Sequence, residues 1–147
     1  MRRNTGVLRG VIESPGERSA AGLRGVYDDL LAETVETVGV ESVAGSTGVD
    51  RARLERLLAG GSPALTVEEA AAVLAADETR PDAGAVAAEA RDILLLGMSA
   101  AVLDVETLAA EIDEAIEPKE LQQKIEGRRP MALDEYAVLH SHIEGGR

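Results

Sequence analysis

The apolar residues of this chain recur at helical spacing along nearly its whole length, and this periodicity most constrains the fold. Near the N-terminus, for example, Leu23, Val26, Leu30 and Val35 fall on one stripe of a helix. No segment shows the period-two alternation of a half-buried strand. We therefore predict an all-α, compact multi-helix domain.

The composition limits how the core of such a domain is built. The 147 residues include no Cys, Trp or Phe, and the two aromatic residues are Tyr27 and Tyr136. The core must then be aliphatic, and disulfide and thiol chemistry are excluded. A chain of this length buries roughly 68–70% of its unfolded surface, so it needs no metal or disulfide to be stable. We expect no cofactor.

Charge and hydropathy favour a cytoplasmic protein with an acidic surface. Asp and Glu number 27 against 15 Lys and Arg, which gives a net charge of −12. Such a composition is typical of salt-accumulating halophiles, where the Debye length falls to ~3 Å or less; an ordinary acidic cytosolic protein is the alternative. The longest apolar stretch, residues 93–103, is too short to span a membrane. The N-terminus lacks the apolar region of a signal peptide, so we expect no membrane contact.

Helix caps and helix-ending glycines divide the chain into two halves. We predict a flexible arm over residues 1–17, a first helical half over 18–76, a linker over 77–82 and a second helical half over 83–147. The segment VESVAGSTGVDRARLERLLAGGSPALTVEEAAAVL is similar to VETLAAEIDEAIEPKELQQKIEGRRPMALDEYAVL, with caps and glycines in the same order. We therefore predict that the second half is a diverged copy of the first. Chance similarity between Ala-rich helices is the alternative.

The same signals predict where helices begin and end. Five residues are predicted N-caps: Ser19, Asp50, Thr66, Asp82 and Asp104. Glu69, three residues after Thr66, completes a capping box. Pro118 fits the first turn of a helix, and Gly39, Gly48 and Gly127 fit helix ends.

The stretch VAGSTGVDRARLERLLAGGSP, residues 43–63, has the layout of two short helices joined by a tight turn. Ala44 allows a close crossing, Gly48 accepts the left-handed turn conformation, and Leu54 is expected to be buried. This layout resembles the helix-turn-helix of the lambda-repressor and Cro-like family. The resemblance implies that the second helix contacts DNA through its first residues. From VLRGVIESPGERS to KIEGRRPMALDEYAVLH, the chain also resembles an uncharacterised family of haloarchaeal proteins, which implies no known activity.

Nine residues are the candidate DNA contacts. In the first half they are Arg51, Arg53 and Arg56; in the second they are Lys119, Gln122, Gln123, Lys124, Arg128 and Arg129. Arg and Gln side chains can pair with guanine and adenine edges. Segments 50–61 and 117–129 each carry a net charge of +1, so the remainder of the chain carries −14. A plain N-cap at Asp50 and a solvated, salt-bridged helix face would explain the same residues.

Catalytic and metal-binding patterns are missing from the sequence. His140 and His142 lie two positions apart and do not share a helix face, so they do not form a metal pair. Asp28 and Asp29 are expected on a solvated helix edge. There is no Gly-rich phosphate loop and no nucleophile–base pattern, so we expect a non-enzymatic protein.

Two functions therefore stay open. One is a DNA-binding or transcription-associated regulator that binds double-stranded DNA. The other is a protein-interaction module that uses the same helical scaffold to bind a second copy or another protein. The stretch ILLLGMSAAVL, residues 93–103, is apolar on nearly all sides. It predicts a central helix with a surplus face that forms a homodimer.

Overall fold

The computed structural model describes Leu8, residues 15–112 and residues 116–146. These residues form a short 3-10 helix, Pro15–Glu17, and eight α-helices. The α-helices are α1 (Ala20–Val38), α2 (Val40–Thr47), α3 (Arg51–Leu58), α4 (Val67–Ala75), α5 (Ala83–Ala101), α6 (Val105–Glu111), α7 (Pro118–Ile125) and α8 (Leu133–Gly145). No strand occurs among the described residues, which confirms the all-α prediction.

The predicted flexible arm, 1–17, lies outside the described residues except at Leu8 and residues 15–17. Leu8 is buried against the core, and its backbone N–H donates to the Glu89 carboxylate at 3.2 Å. The 3-10 helix packs closely on α8, since a Cβ added to Gly16 would lie 2.7 Å from the Glu144 carbonyl oxygen. The end of the arm is thus held by the helical body.

Side-chain caps set the starts of five helices as the sequence predicts. Ser19, Asp50, Thr66, Asp82 and Asp104 each accept a hydrogen bond from the backbone N–H three residues on. The capping box is complete, because the Glu69 carboxylate accepts the Thr66 N–H at 3.0 Å. Gly48 ends α2 in the left-handed conformation, at φ 79° and ψ 0°. These caps satisfy backbone N–H groups that a helix start leaves without intrahelical partners.

α4 and α8 begin side by side. The backbone N–H of Val67 donates to Met131 O, and that of Leu133 donates to Leu65 O, each at 2.8 Å. The two bonds are arranged antiparallel around Thr66 and Ala132. The two halves of the chain therefore meet at equivalent points, the entries to their last helices.

The long helices α1 and α5 make the main contacts between the two halves. α1 packs against α8 as well as against α4, and α5 packs against α4 as well as against α8. α2 and α3 lie on α1, whereas α6 contacts α7 and α7 contacts α5. One hydrophobic cluster runs through both halves. The sequence halves consequently share a single core.

The helix order repeats between the halves. The helices are 19, 8, 8 and 9 residues long in the first half and 19, 7, 8 and 13 residues long in the second. Gly60 and Gly127 follow α3 and α7 at φ 88° and 83°. Residues 113–115, between α6 and α7, lie outside the described residues. The superposition of residues 40–76 on 105–143 stays a prediction.

The core is aliphatic, with both tyrosines inside it. Leu54 is fully buried, as expected, where α3 packs on α1. The predicted stripe of α1 faces the core, with Val26 half-buried against it. Arg24 and Asp28, which the stripe does not include, are also buried. Hydrophobic spacing could not identify these two polar residues, because they are buried as a bonded pair.

The expected solvated edge at Asp28 and Asp29 is wrong for the first of them. Arg24 Nε donates to Asp28 Oδ1 at 2.9 Å, and Ser62 donates to the second oxygen of Asp28. The Arg24 guanidinium also donates to Pro63 O at 2.5 Å and to Asp134 at 2.7 Å. This network joins α1 to the loop before α4 and to α8. Asp29 is exposed, as expected.

α5 packs one face against α4 and α8 and leaves a second apolar face uncovered. Leu94 is 1% exposed, whereas Leu96 is 61% exposed. The surplus face expected from the sequence is therefore present. Within the described ranges no single helix is long and apolar enough to cross a membrane; α5 and α6 reach that composition only when taken together across a 93° bend.

Candidate interaction surfaces

Arg53, one of the predicted DNA contacts, is engaged by neighbouring acceptors. Its Nη1 and Nη2 donate to the two carboxylate oxygens of Glu69 at 2.9 Å each, and its Nε donates to Asp50. Nη1 also donates to Ala64 O at 2.8 Å. These hydrogen bonds from Arg53 are the main reason that the pKa values of Asp50 and Glu69 lie below their usual range. The guanidinium ties α3 to the capping box of α4.

The other two arginines of α3 differ in their surroundings. Arg51 forms ion pairs with Glu41 and, at 3.5 Å, with Glu55. Arg56 is exposed and forms no ion pair with a described residue. α3 therefore presents one uncompensated cation to solvent.

Lys124 plays in the second half the part that Arg53 plays in the first. Its Nζ lies 2.5 Å from Glu135 Oε2 and 3.7 Å from Glu120, and its side chain is 15% exposed. Glu135 also accepts the backbone N–H of Ala132 at the start of α8. In both halves a glutamate on the first turn of the last helix therefore holds a cation of the preceding short helix. The sequence indicated Glu69, through its capping box, but neither Glu135 nor the cation that each glutamate holds.

The remaining candidates on α7 and the loop after it are exposed, except for Gln123, which is half-buried. Gln122 and Arg128 both donate to Glu126, at 3.0 Å and 2.6 Å. Arg129 donates to the Gln123 side chain at 2.6 Å, and Lys119 is exposed without an ion pair to any described residue. No hydrogen bond or ion pair within the described ranges joins this set to the arginines of α3. The structure thus gives two separate sets of candidates.

A different surface stands out where α5 ends. Leu95, Leu96 and Val102 are 42%, 61% and 90% exposed, and Ser99 and Ala100 between them are also exposed. We call these five residues the α5 corner. The surrounding stretch, residues 93–103, contains no charged residue, although the chain carries −12 overall. Exposed apolar surface without interspersed charge is typical of contact sites.

Val102 adopts a backbone conformation that its side chain disfavours. It lies in the left-handed region at φ 56° and ψ 48°, where it ends α5. A β-branched residue is uncommon there, because its Cβ approaches the following carbonyl. Every other described residue with positive φ is a glycine. The exposed isopropyl group of Val102 is therefore held in a strained position.

The corresponding end of α1 has the opposite character. When the two 19-residue helices are aligned at their caps, Ser19 and Asp82, the counterparts of Leu96, Ser99 and Val102 are Glu33, Glu36 and Gly39. Both glutamates are exposed. The ends of the two long helices, aligned in this way, are thus acidic in one half and apolar in the other. Sequence reasoning found the apolar stretch but not this contrast.

The two histidines have separate partners. His140 is 3% exposed, and its Nδ1 lies 2.7 Å from the Tyr27 hydroxyl. Burial lowers the pKa of His140, and it raises that of Tyr27. His142 Nε2 lies 2.7 Å from Glu111 Oε1, beside an open cleft of about 500 Å³ between the end of α5, α6 and α8. No group of three or more potential metal ligands occurs among the described residues.

Comparison with known proteins identifies a family without assigning an activity. Residues 23–146 match the model of a family described as a family of unknown function, DUF5791. No curated protein and no solved structure matches the chain.

Proposed function

The chain belongs to the DUF5791 family, whose function is unknown, and we propose that it acts as a non-enzymatic protein-interaction module that binds through the α5 corner. The observation that carries this proposal is the exposure of Leu95, Leu96 and Val102 on a stretch without charge. An exposed leucine by itself means little, but a contiguous uncharged group at a helix end favours a contact surface. The proposal places the protein in the cytoplasm of a salt-accumulating cell, which the acidic composition favours.

The strain at Val102 supports the same surface. A left-handed β-branched residue costs roughly 1–2 kcal/mol, and glycine avoids most of that cost. The first half has glycine at the corresponding position, Gly39, with φ 102°. Covering the Val102 side chain would return free energy of about 25 cal/mol for each Å² of apolar surface buried. A partner on the α5 corner would therefore offset the strain.

A photo-crosslinking experiment tests the module. A benzoylphenylalanine residue replaces Ser99 in the full chain, inside the α5 corner, and the matched control carries it at Thr37 of α1. Both positions are exposed, so both chains should fold. We expect a protein adduct from position 99 that is missing from position 37 and is lost when Leu96→Glu is added. Equal adducts at both positions, or none at position 99, would contradict the proposal.

DNA binding is the second candidate function, and α7 favours it more than α3 does. Lys119 is exposed and unpaired among the described residues, and the charge of Arg129 is not compensated by a described carboxylate, because its side-chain partner is the neutral Gln123. Gln122, also exposed, offers a side chain that can pair with adenine. On α3, by contrast, Arg51 and Arg53 already pair with carboxylates. If the chain binds duplex DNA as a regulator, α7 and the loop after it are the proposed contacts.

A titration against duplex DNA tests this second function. Fluorescence anisotropy follows binding from about 0.1 to 3 M KCl, over which the Debye length falls from ~10 Å to below ~3 Å. We expect binding that weakens when Lys119→Ala and Arg129→Ala are combined. Arg56→Ala on α3 removes a similar exposed cation and should have no effect. Absence of binding over the whole salt range would rule out DNA and leave the interaction module.

A further inference from the structure

We infer that the α5 corner binds a second copy of this chain in a two-fold symmetric dimer. This inference rests on the proposed function of the corner as a contact surface, and it names the occupant. It follows from the charge of the chain, the arrangement of side chains along α5 and the contrast between α5 and α1.

Charge restricts where two copies can meet. Each copy carries −12, so most pairs of surfaces would bring carboxylates together. Residues 93–103 contain no charge, whereas Asp92 and Asp104 lie directly outside this stretch. A self-contact through the α5 corner therefore avoids repulsion at its centre and places the acidic residues at its edge.

The side chains of the α5 corner are arranged so that the corner is complementary to the same corner of a second molecule. Ser99 and Ala100 are small and lie midway, with Leu95 and Leu96 on one side and Val102 on the other. A two-fold axis near Ser99 would cross the helices at the small residues. It would also place Leu96 of one copy beside Val102 of the second copy, and the reverse. Such reciprocal contacts define an interface between identical surfaces.

The corresponding end of α1, in the first half, carries charged side chains in place of the apolar ones. Glu33 and Glu36 are exposed at the places that Leu96 and Ser99 occupy in α5. Two copies of that surface would repel each other. The apolar substitution in α5 is thus specific to one end of the molecule, which gives a closed dimer and no chain of copies.

Salt dependence distinguishes a second copy from a basic partner protein. Repulsion between two acidic copies is screened as salt increases, while burial of apolar surface is not weakened. Association with a basic partner would weaken under the same change. The five residues of the α5 corner include no carboxylate, and Glu126 lines the cleft beside Leu95 at its edge. We therefore expect salt to strengthen the contact.

Light scattering and sedimentation of the full chain test the inference between about 0.1 and 3 M KCl, the range that removes long-range repulsion. We expect the mass to rise from the 15.4 kDa of one chain towards twice that value as protein and salt concentrations increase. Leu96→Glu should weaken association by at least about tenfold, because it places a carboxylate in an apolar contact. Thr37→Glu adds the same charge to α1 and should leave association unchanged.

Val102→Gly separates loss of contact from loss of folding. Glycine accepts the left-handed conformation, and the 90% exposed isopropyl group makes little contact within the chain. This variant should therefore melt at a higher temperature and yet associate more weakly. Circular dichroism confirms folding in each variant. A monomer at every concentration and salt, or equal weakening by Leu96→Glu and Thr37→Glu, would overturn the dimer.

The crosslinking experiment separates this failure from that of the proposed function. An adduct at position 99 with the mass of two chains supports both the module and the dimer. An adduct with a different protein, from a chain that stays monomeric, overturns the dimer and keeps the module. No adduct and no dimer would contradict both.

Discussion

Arg53 lies on the surface helix α3, but the hydrogen bonds of its side chain give it a structural role, because they connect α3 to the start of α4. Its guanidinium has three carboxylate contacts, two to Glu69 and one to Asp50, and its side chain is 28% exposed. A bidentate pair between arginine and a carboxylate fixes both side chains more firmly than a single contact does. Glu69 in turn caps α4, so the pair fixes the orientation of α3 relative to the start of α4.

We expect Arg53→Ala to destabilise the protein by about 1–2 kcal/mol, because partly buried charged hydrogen bonds are stronger than exposed ones. Arg56→Ala is the matched control on the same helix. It should change the free energy of unfolding by less than about 0.5 kcal/mol, because Arg56 is exposed and unpaired among the described residues. Urea denaturation measures both. Equal effects would show that the Arg53–Glu69 pair contributes no more to the free energy of unfolding than a solvated side chain does.

His140 links stability to pH. It is buried, and desolvation lowers its pKa below the usual value near 6.5. A neutral imidazole with its proton on Nε2 accepts the Tyr27 O–H at Nδ1, whereas a protonated imidazole could not. A protonated imidazole could keep this contact only by donating Nδ1–H to the Tyr27 oxygen, so burial, rather than loss of the hydrogen bond, disfavours the charged form.

Stability should fall as the pH drops below about 6.5, because the unfolded chain then takes up a proton at His140 before the folded chain does. The contribution is complete above the unfolded pKa and is lost as the pH falls towards the lower folded pKa. His140→Gln should flatten this part of the pH profile of unfolding, measured by thermal melts from pH 8 to 5. The same melts on His142→Gln show how much the second histidine contributes to the pH dependence. An unchanged slope in His140→Gln would mean that another group causes the dependence.

At the scale of single helices, the parts that sequence predicts are those with local causes. Asp50 and Thr66 cap helices because their side chains reach a backbone N–H three residues away, and the sequence shows both partners. The pairing of Arg24 with Asp134 joins residues 110 positions apart, so local spacing cannot indicate it. The direction of the Arg53 side chain likewise depends on where α4 lies. Caps, helix class, the burial of Leu54 and the surplus apolar face of α5 were therefore predictable, whereas the buried ion pairs and the particular residues exposed on α5 were not.

The close contact between α5 and α8 gives a test at this scale. A Cβ added to Gly97 would lie 2.7 Å from Ile143 Cγ2 and 2.9 Å from Glu144 Oε2. Gly97→Ala should gain about 1 kcal/mol of helix propensity but lose about 1–3 kcal/mol to overpacking. We expect a net loss of stability, measured by chemical denaturation.

Gly25→Ala is the matched control for Gly97→Ala. Gly25 lies inside α1 and is exposed, and a Cβ added there would meet no atom within 4 Å beyond its chain neighbours and the adjacent turns of its own helix backbone. The same substitution should therefore stabilise the protein by roughly 0.5–1 kcal/mol. Opposite signs at the two positions would identify the packing of α5 on α8 as the cause. A gain at Gly97 would mean that the two helices can move apart without cost.

At the scale of the whole molecule, the two halves have the same order of helices and share one core. Their last helices start at a shared pair of backbone hydrogen bonds around Thr66 and Ala132. Each long helix then packs on the last helix of the other half. The charge distribution departs from this symmetry at the ends of α1 and α5, where glutamates in one half correspond to apolar residues in the other. The apolar residues are therefore confined to the end of α5, so a contact surface there would lie on one side of the molecule only.

The shared core predicts that neither half folds alone. Residues 18–76 would lose the contact of α1 with α8 and of α4 with α5, which leaves much of their apolar surface exposed. A fragment of about 60 residues buries only about 60% of its unfolded surface even when its core is complete. We expect fragments 18–76 and 77–147 to show weak helical circular dichroism separately and to regain it when mixed, with a concentration-dependent transition. The circular dichroism of the mixture is compared with that of each fragment alone and with that of the intact chain. Cooperative melting of 18–76 by itself would mean that the first half is an independent domain and that the contacts between halves add little to its stability.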